Sequence, residues 1–327
     1  MKILVWHVHG SWTTSFVAGA HDYVLPLLPD RGSDGLGRAR TWPWPETARE
    51  VPVDLLAQEP LDLVVLQRPH EAALVERLTG RRPGRDLPAV YLEHNAPTGH
   101  AVSTVHPVVQ EEALHGVPVV HVTFFNAMAW DCGDSPTTVI EHGVPDSGYS
   151  WTGEVPSLAV VVNEPVRRWR VAGTDLLLDM ARHVPVDVYG MGMQQLAERA
   201  VAEGVPTLTA RLHDDLPQAL LHQQIGRHRA YFHPYRWTSL GLALLEAMTC
   251  GLPVLALSTT EAPEAVPPEA GLVTCDIGAL HATARRWLHD PAEARERGLA
   301  ARQHALSRYG LKRVLDDWDR LLEGMTR

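Results

Sequence analysis

Apolar runs of strand length recur along the first half of the chain, at 2–8, 61–67, 88–94, 117–124 and 137–144. Segments of helical or irregular pattern, such as 51–59 and 70–78, separate them. Continuous apolar runs suit strands buried on both faces, and their alternation with helices predicts a parallel sheet. A stretch rich in Pro, Gly and Ser, 145–157, reads as an inter-domain linker. The alternation then restarts. Strands are expected at 158–164, 185–192, 230–235, 252–258 and 270–275. Helices are expected at 173–184, at 216–228, before the strand at 252, and at 278–290 and 291–309. The last segment, 310–325, puts Leu311, Val314, Leu315, Trp318, Leu321 and Leu322 on one helical face. The pattern predicts an α/β protein of two Rossmann-like halves, whose ligands lie where loops leave the carboxyl ends of strands, in a cleft if the halves face each other.

Composition narrows the function by exclusion. At 327 residues, 45% hydrophobic and 21% charged, the chain has the makeup of a globular protein. Its 39 acidic and 29 basic residues give a formal charge of -10, which argues against nucleic acid as a partner. The basic run 77–85 fits a solvated loop or a peripheral contact with an anionic membrane. Three cysteines, Cys132, Cys250 and Cys275, are too few and too scattered for a disulfide framework or a metal knuckle. With no long apolar run and no signal-peptide core at the start, the expected location is the cytoplasm.

The first chemical candidate is Thr238-Ser239-Leu240-Gly241, ahead of an apolar helix that carries Glu246. Ser or Thr at a helix start caps it, and the free N–H groups and dipole there favour an anion. Seven residues separate Ser239 from Glu246, which puts both on one face about 10 Å apart. That suits a diphosphate at one end and ribose hydroxyls at the other. A plain capped helix with a salt-bridged glutamate accounts for the same residues. The second candidate is the segment holding Arg167, Arg168 and Arg170, expected as a loop between strand and helix. Its forked donors match phosphate oxygens or simply decorate a surface. Gly190 and Gly192 end a strand and permit close approach of a ligand, or only a tight turn. In the first half, His7, His9, Gly10, Ser11 and Trp12 follow the first strand, with His7 and His9 expected on one strand face. Glu93-His94-Asn95 ends another strand, and Asn126 and 141–143 complete the set. Although the chain has 18 histidines, no H-E-x-x-H or C-x-x-C pattern accompanies them, so no metal is assigned. No G-x-S-x-G elbow supports a serine hydrolase.

The segment 231–257 resembles the C-terminal signature of retaining GT-B glycosyltransferases of family 4, roughly E-x-F-G-L-x-x-L-E-A-M-A-x-G-x-P-V-V-A. The likeness extends to 171–177 (K-G-x-D-L-L in the family), to the strand ending at Gly190 and Gly192, to 139–144 and to 90–97. The resemblance implies a GT-B fold: an acceptor domain over 1–150, a nucleotide-sugar donor domain over 151–307, and a helix over 308–327 crossing back to the first domain. It implies a metal-independent transfer from a UDP- or GDP-sugar to a small-molecule, lipid-linked or polysaccharide acceptor, with retention and without a further cofactor. Other sugar-nucleotide chemistry, as in an epimerase or a phosphorylase, and a non-catalytic nucleotide-sugar binder are the alternatives.

Carried over residue by residue, Glu246 holds the ribose, Ser239 and Leu240 meet the phosphates through backbone N–H groups, and Arg167 is the phosphate arginine. His94 lies near the transferred sugar. Gly10, Ser11 and Trp12 face donor phosphate and acceptor, and Asn126 is assigned to the acceptor side. The sequence departs from the family at two places. Thr238 replaces the first glutamate of the pair, and Ala172 replaces the lysine of K-G, for which Arg170 is the candidate substitute. With Arg236 nearby, this predicts a less acidic sugar pocket that tolerates a donor sugar that is acidic or lacks the usual hydroxyl contact.

Overall fold

A computed structural model describes residues 1–40 and 42–326. The chain forms two compact units, one of residues 1–143 together with the C-terminal segment from Leu311, the other of residues 144–310. The first unit has a seven-stranded sheet: β1 (Lys2–Val5), β2 (Asp22–Leu27), β3 (Ala48–Pro52), β4 (Leu63–Leu66), β5 (Ala89–Glu93), β6 (Val119–His121) and β7 (Thr137–Val139), in the order β3-β2-β1-β4-β5-β6-β7. The second has β8 (Val155–Val161), β9 (Val186–Gly190), β10 (Leu212–Asp214), β11 (His228–His233), β12 (Val254–Leu257) and β13 (Gly271–Thr274), in the order β10-β9-β8-β11-β12-β13. Every strand pair in both sheets is parallel. Both sheets are thus doubly wound, and each reverses its order once, between β1 and β4 and between β8 and β11. The crevice at such a reversal is where ligands bind.

The apolar runs map onto ten strands with shorter ends, since only the hydrogen-bonded middle of each run is strand. Several elements were not expected, three strands among them. β2 contains Pro26 and β3 contains Arg49, Glu50 and Pro52, so neither reads as an apolar run. The helix Met193–Ala202 and the three-residue edge strand β10 carry too weak a pattern to stand out. The arginine segment is a correction: 165–172 is helical rather than a loop, broken at Trp169 (φ 27°). His7 and His9 are also displaced from expectation, because β1 ends at Val5 and both lie in the loop beyond it.

The stretch 145–157 does not behave as a free linker. The backbone N–H groups of Ser150 and Trp151 donate to the Cys250 carbonyl at 3.1 and 3.0 Å, that of Thr152 donates to Gly226, and Trp151 is buried in the second core. Pro, Gly and Ser report irregular backbone, not absence of contacts. The units therefore divide at 143/144 and 310/311 rather than at 150/151 and 307/308.

The helix Leu311–Met325 belongs to the first unit, where it buries Val314, Trp318 and Leu322. The Trp318 ring lies edge-on to Phe16 and Trp12, with centroids 5.0 and 5.9 Å apart. Arg313 donates to the carbonyls of Glu141 and His142, which fixes the backbone beside His142. The basic run 77–85 is partly occupied: Arg81 donates to the Leu61 and Glu59 carbonyls and Arg82 pairs with Asp86. Among the described residues no helix is long and apolar enough to cross a membrane.

Candidate functional site

In the second unit the loops after β8 and β11 meet at the carboxyl edge of the sheet, beside the order reversal. Gly173 (φ 70°) joins the helices Pro165–Ala172 and Thr174–His183. A Cβ there would sit 1.8 Å from the Pro234 carbonyl oxygen, so only glycine allows the two loops to touch. Thr174 Oγ1 bonds the Pro165 carbonyl at 2.6 Å, and the Arg236 N–H donates to Val171 at 3.0 Å. This close packing brings the Arg168 guanidinium 5.2 Å from the centre of the Tyr235 ring, a cation–π contact. Tyr235 stacks on His233 at 4.6 Å, and a Cβ at Gly241 would meet His233 Cε1 at 2.8 Å. Arg168, Tyr235 and His233 thus line up against the start of the helix Leu242–Cys250.

The cap of that helix differs from the sequence expectation. Its N-cap is Gly241, with no side-chain bond; Ser239 and Leu240 are buried one turn earlier, and Thr238 is half-buried. Thr and Ser do not cap because the backbone turns into helix only after Gly241. Its first N–H groups still lack intrahelical partners and carry the positive end of the dipole.

Glu246 lies five residues into the helix, hence about 7.5 Å along it. It is buried, and two side chains of the helix Gln218–Ile225 hold its carboxylate: Gln218 Nε2 donates to Oε1 at 3.0 Å, and His222 Nε2 lies 3.4 Å from Oε2. A carboxylate has about four acceptor positions, so two remain for further donors. Gln218 and His222 escaped sequence reasoning. They sit on a different helix, and only the fold brings them to Glu246.

The three arginines separate into different roles. Arg167 is exposed and paired with Glu164. Arg170 is exposed and bonds Asp175 Oδ2 at 2.9 Å. Asp175 also takes a fork from Arg236 at 2.5 and 2.8 Å. Arg236 and Arg170 thus share the single carboxylate of Asp175. Arg168, not Arg167, is the arginine packed into the site. Gly190 and Gly192 have backbone reasons of their own. A Cβ at Gly190 (φ 133°) would sit 2.3 Å from the Val162 carbonyl, and Gly192 (φ 86°) precedes the helix Met193–Ala202, whose first N–H is accepted by Asp214 at 3.3 Å.

In the first unit the loops after β1, β4 and β5 also gather at the order reversal. His94 Nε2 bonds Gln67 Oε1 at 2.9 Å, and Gln67 Nε2 donates to the Trp6 carbonyl at 2.7 Å. The Trp6 carbonyl fixes the amide orientation, so Gln67 Oε1 must accept and His94 carries its proton on Nε2. Nδ1 is left as the acceptor. The His9 ring lies 4.2 Å from His94 and the Trp12 edge 5.2 Å away. Burial, then the nearby His9 and His142, hold His94 well below the usual histidine range, so it is neutral at pH 7. Glu93 turns the other way, accepting from Asn95 N–H and bonding His106 Nε2 at 3.1 Å.

Two residues assigned to the acceptor side are buried. Trp12 is in the core, stacked on Phe16 at 4.7 Å. Asn126 is fully buried, its Nδ2 reaching the Glu93 carbonyl at 3.5 Å. Ser11 is half-buried. The Cα of Gly10 is covered by the Trp42 ring, 2.0 Å from where a Cβ would be.

These buried neutral histidines make stability acid-sensitive. Burial pushes His142 and His233 down to about 3, while the unfolded chain titrates near 6.5. Between those values the unfolded state binds more protons, so stability falls as pH drops through 6.5 and the loss ends only near 3. At its steepest the slope is about 1.4 kcal/mol per pH unit for each ring. Urea midpoints at pH 7.5 and 5.0 should show this drop, and His142→Gln should reduce it.

The two doubly wound sheets, with chemistry gathered at each reversal, define the GT-B class of glycosyltransferase folds. Residues 168–290, all within the second unit, match the family model of group 1 glycosyl transferases. Over 112 residues the chain is 36% identical to an O-antigen chain mannosyltransferase B of Escherichia coli, covering 32% of this chain and 28% of that protein. Over 67 residues it is 40% identical to a GDP-mannose-dependent monoacylated alpha-(1-6)-phosphatidylinositol monomannoside mannosyltransferase of Corynebacterium glutamicum, covering 20% and 18%. The matches thus span less than a third of either curated relative. Among solved structures, sucrose-phosphate synthase of Thermosynechococcus elongatus superposes with a TM-score of 0.74 at 14% identity, over 99% of this chain and 98% of that one. Anabaena HepE in complex with UDP superposes at 0.73 and 14%, over 99% and 100%.

Proposed function

We propose that the chain transfers a hexosyl group from a nucleoside diphosphate sugar, UDP- or GDP-linked, to a hydroxyl of a glycan or lipid-linked acceptor, with retention of configuration. The observation that carries this is the Leu242–Cys250 helix. Its N-cap Gly241 packs on His233, which stacks on Tyr235, the ring that Arg168 covers, and Glu246 stands about 7.5 Å further on with two acceptor positions open. That separation fits a diphosphate at the first point and ribose hydroxyls at the second. As the sugar leaves, charge grows on the diphosphate. Arg168 and the helix dipole stabilise that charge without reorganising, which is the larger part of such catalysis. With the charge met by protein groups, the step does not require a metal, and turnover should persist in excess chelator. In the first unit, His94 Nδ1 is assigned to accept from a hydroxyl of the transferred sugar or the acceptor. The mannosyltransferase names of the two relatives favour mannose and a guanine base, while the UDP complex of the Anabaena protein favours uracil.

Thermal denaturation with a panel of nucleoside diphosphates and their sugars tests the reading. A ligand at about 100 times its Kd adds about 2.7 kcal/mol. Arg168→Ala should weaken nucleotide binding at least about tenfold, the loss of one charge-assisted bond. Arg167→Ala should change it little, because that side chain projects into solvent. Equal losses would return the phosphate to Arg167. Binding without any transfer would favour a nucleotide-sugar sensor, and product formed with phosphate or without acceptor would favour phosphorylase or epimerase chemistry.

A further inference from the structure

The helix Thr174–His183 carries Asp175 at its first turn and, on its last two turns, Asp179 and His183. Asp179 and His183 are four residues apart, so they share a face. On the neighbouring helix Ile277–His289, His281 reaches the same place: its Nε2 lies 3.1 Å from Asp179 Oδ2, and its ring centroid is 4.1 Å from that of His183. The ligand atoms of all three lie within 4.8 Å of one another, and among the described residues no other trio of His, Cys, Asp or Glu does so. We infer that Asp179, His183 and His281 form a binding site for a divalent transition ion that tethers the two helices.

The chemistry favours zinc, cobalt or nickel. Two imidazoles and one carboxylate form a borderline donor set, whereas magnesium and calcium want oxygen throughout. Ligands about 2.0–2.2 Å from a tetrahedral ion are roughly 3.3 Å apart. The 3.1 Å Nε2–Oδ2 separation already matches, and His183, exposed at the helix end, has a ligand atom within 4.8 Å of both. His281 is mostly buried, and burial first and His183 next lower its basicity, so it offers a neutral ring at pH 7. Three protein ligands leave the fourth position to water. Two cations oppose the ion: Arg182 lies 4.0 Å from Asp179 Oδ1, and Arg285 acts on His281 from one turn further along its helix. They set the expected affinity in the micromolar range rather than the nanomolar.

The site is separate from the donor residues. His183 ends its helix just ahead of β9, at the amino edge of the sheet, while Arg168, Tyr235 and Gly241 gather at the carboxyl edge. A simple Asp179–His281 ion pair between helices is the competing account, and it predicts no ion.

Titrating the full chain with cobalt(II) and zinc separates the two. Wild type should bind one cobalt with a visible d–d absorption typical of four or five ligands, and zinc should displace it and raise the melting temperature. His183→Gln, at an exposed position, should weaken binding at least about tenfold without changing the fold, and Asp179→Asn should do the same. His289→Gln, an exposed histidine on the same helix as His281, should bind like wild type. Absence of saturable binding below about 1 mM, or binding untouched by both triad substitutions, overturns the site.

Discussion

Glu246→Ala is expected to abolish nucleotide-dependent stabilisation while leaving a folded protein. The carboxylate accepts from Gln218 at 3.0 Å and lies 3.4 Å from His222, and it keeps two positions for ribose hydroxyls. Hydrogen bonds to a charged acceptor contribute about 1.5–3 kcal/mol each. Losing two should raise the Kd for a nucleoside diphosphate by at least about 100-fold, which calorimetry or a melting shift reads directly. Glu246→Gln separates geometry from charge. It keeps the shape and one acceptor, so it should retain partial binding, weaker by about tenfold. Alanine also frees Gln218 and His222, and the unliganded melting temperature records that cost apart from binding. If Glu246→Ala binds nucleotide as well as wild type, the donor assignment falls, and with it the central support for a transferase.

Gly173→Ala should be the most damaging single methyl in the second unit. The position needs φ 70° and has the Pro234 carbonyl oxygen 1.8 Å from the new Cβ. Both faults act together: a left-handed non-glycine residue costs about 1–2 kcal/mol, and the clash with fixed backbone adds more. A loss of about 3 kcal/mol or greater in urea unfolding is expected. The loop 234–236 must also move, which carries Tyr235 away from Arg168, so nucleotide affinity should fall with stability. Gly204→Ala is the control. It shares a positive φ of 74° but has nothing within 4 Å, so it should cost only about 1 kcal/mol and leave binding intact. Similar losses at both glycines would mean that the contact with Pro234 does not matter.

Much of this protein was legible in its sequence, for a physical reason. Strands buried on both faces must be apolar throughout, so the central strands of both sheets stand out as runs. β2 and β3, with Pro26 and Glu50, follow no such rule and were missed. Local motifs were readable as far as they act locally. Glu246 and His94 were named from local motifs, and both lie buried with polar side-chain partners, Gln218 and Gln67 respectively. The errors came where a side chain's role depends on what lies across the fold. Thr238 and Ser239 looked like a helix cap, yet the helix begins only after Gly241. Asn126 and Trp12 looked available, yet both are buried.

The sequence by itself determined the two α/β halves, the glycosyltransferase likeness and the helix that presents Glu246, because periodicity and short motifs are written in consecutive residues. Tertiary structure alone decided that Arg168 faces Tyr235 while Arg167 meets solvent, that Arg170 and Arg236 share Asp175, and that Gln218 and His222 hold Glu246. Those are contacts between residues brought together by packing, and a charge acquires its meaning from the partners and burial that the fold supplies.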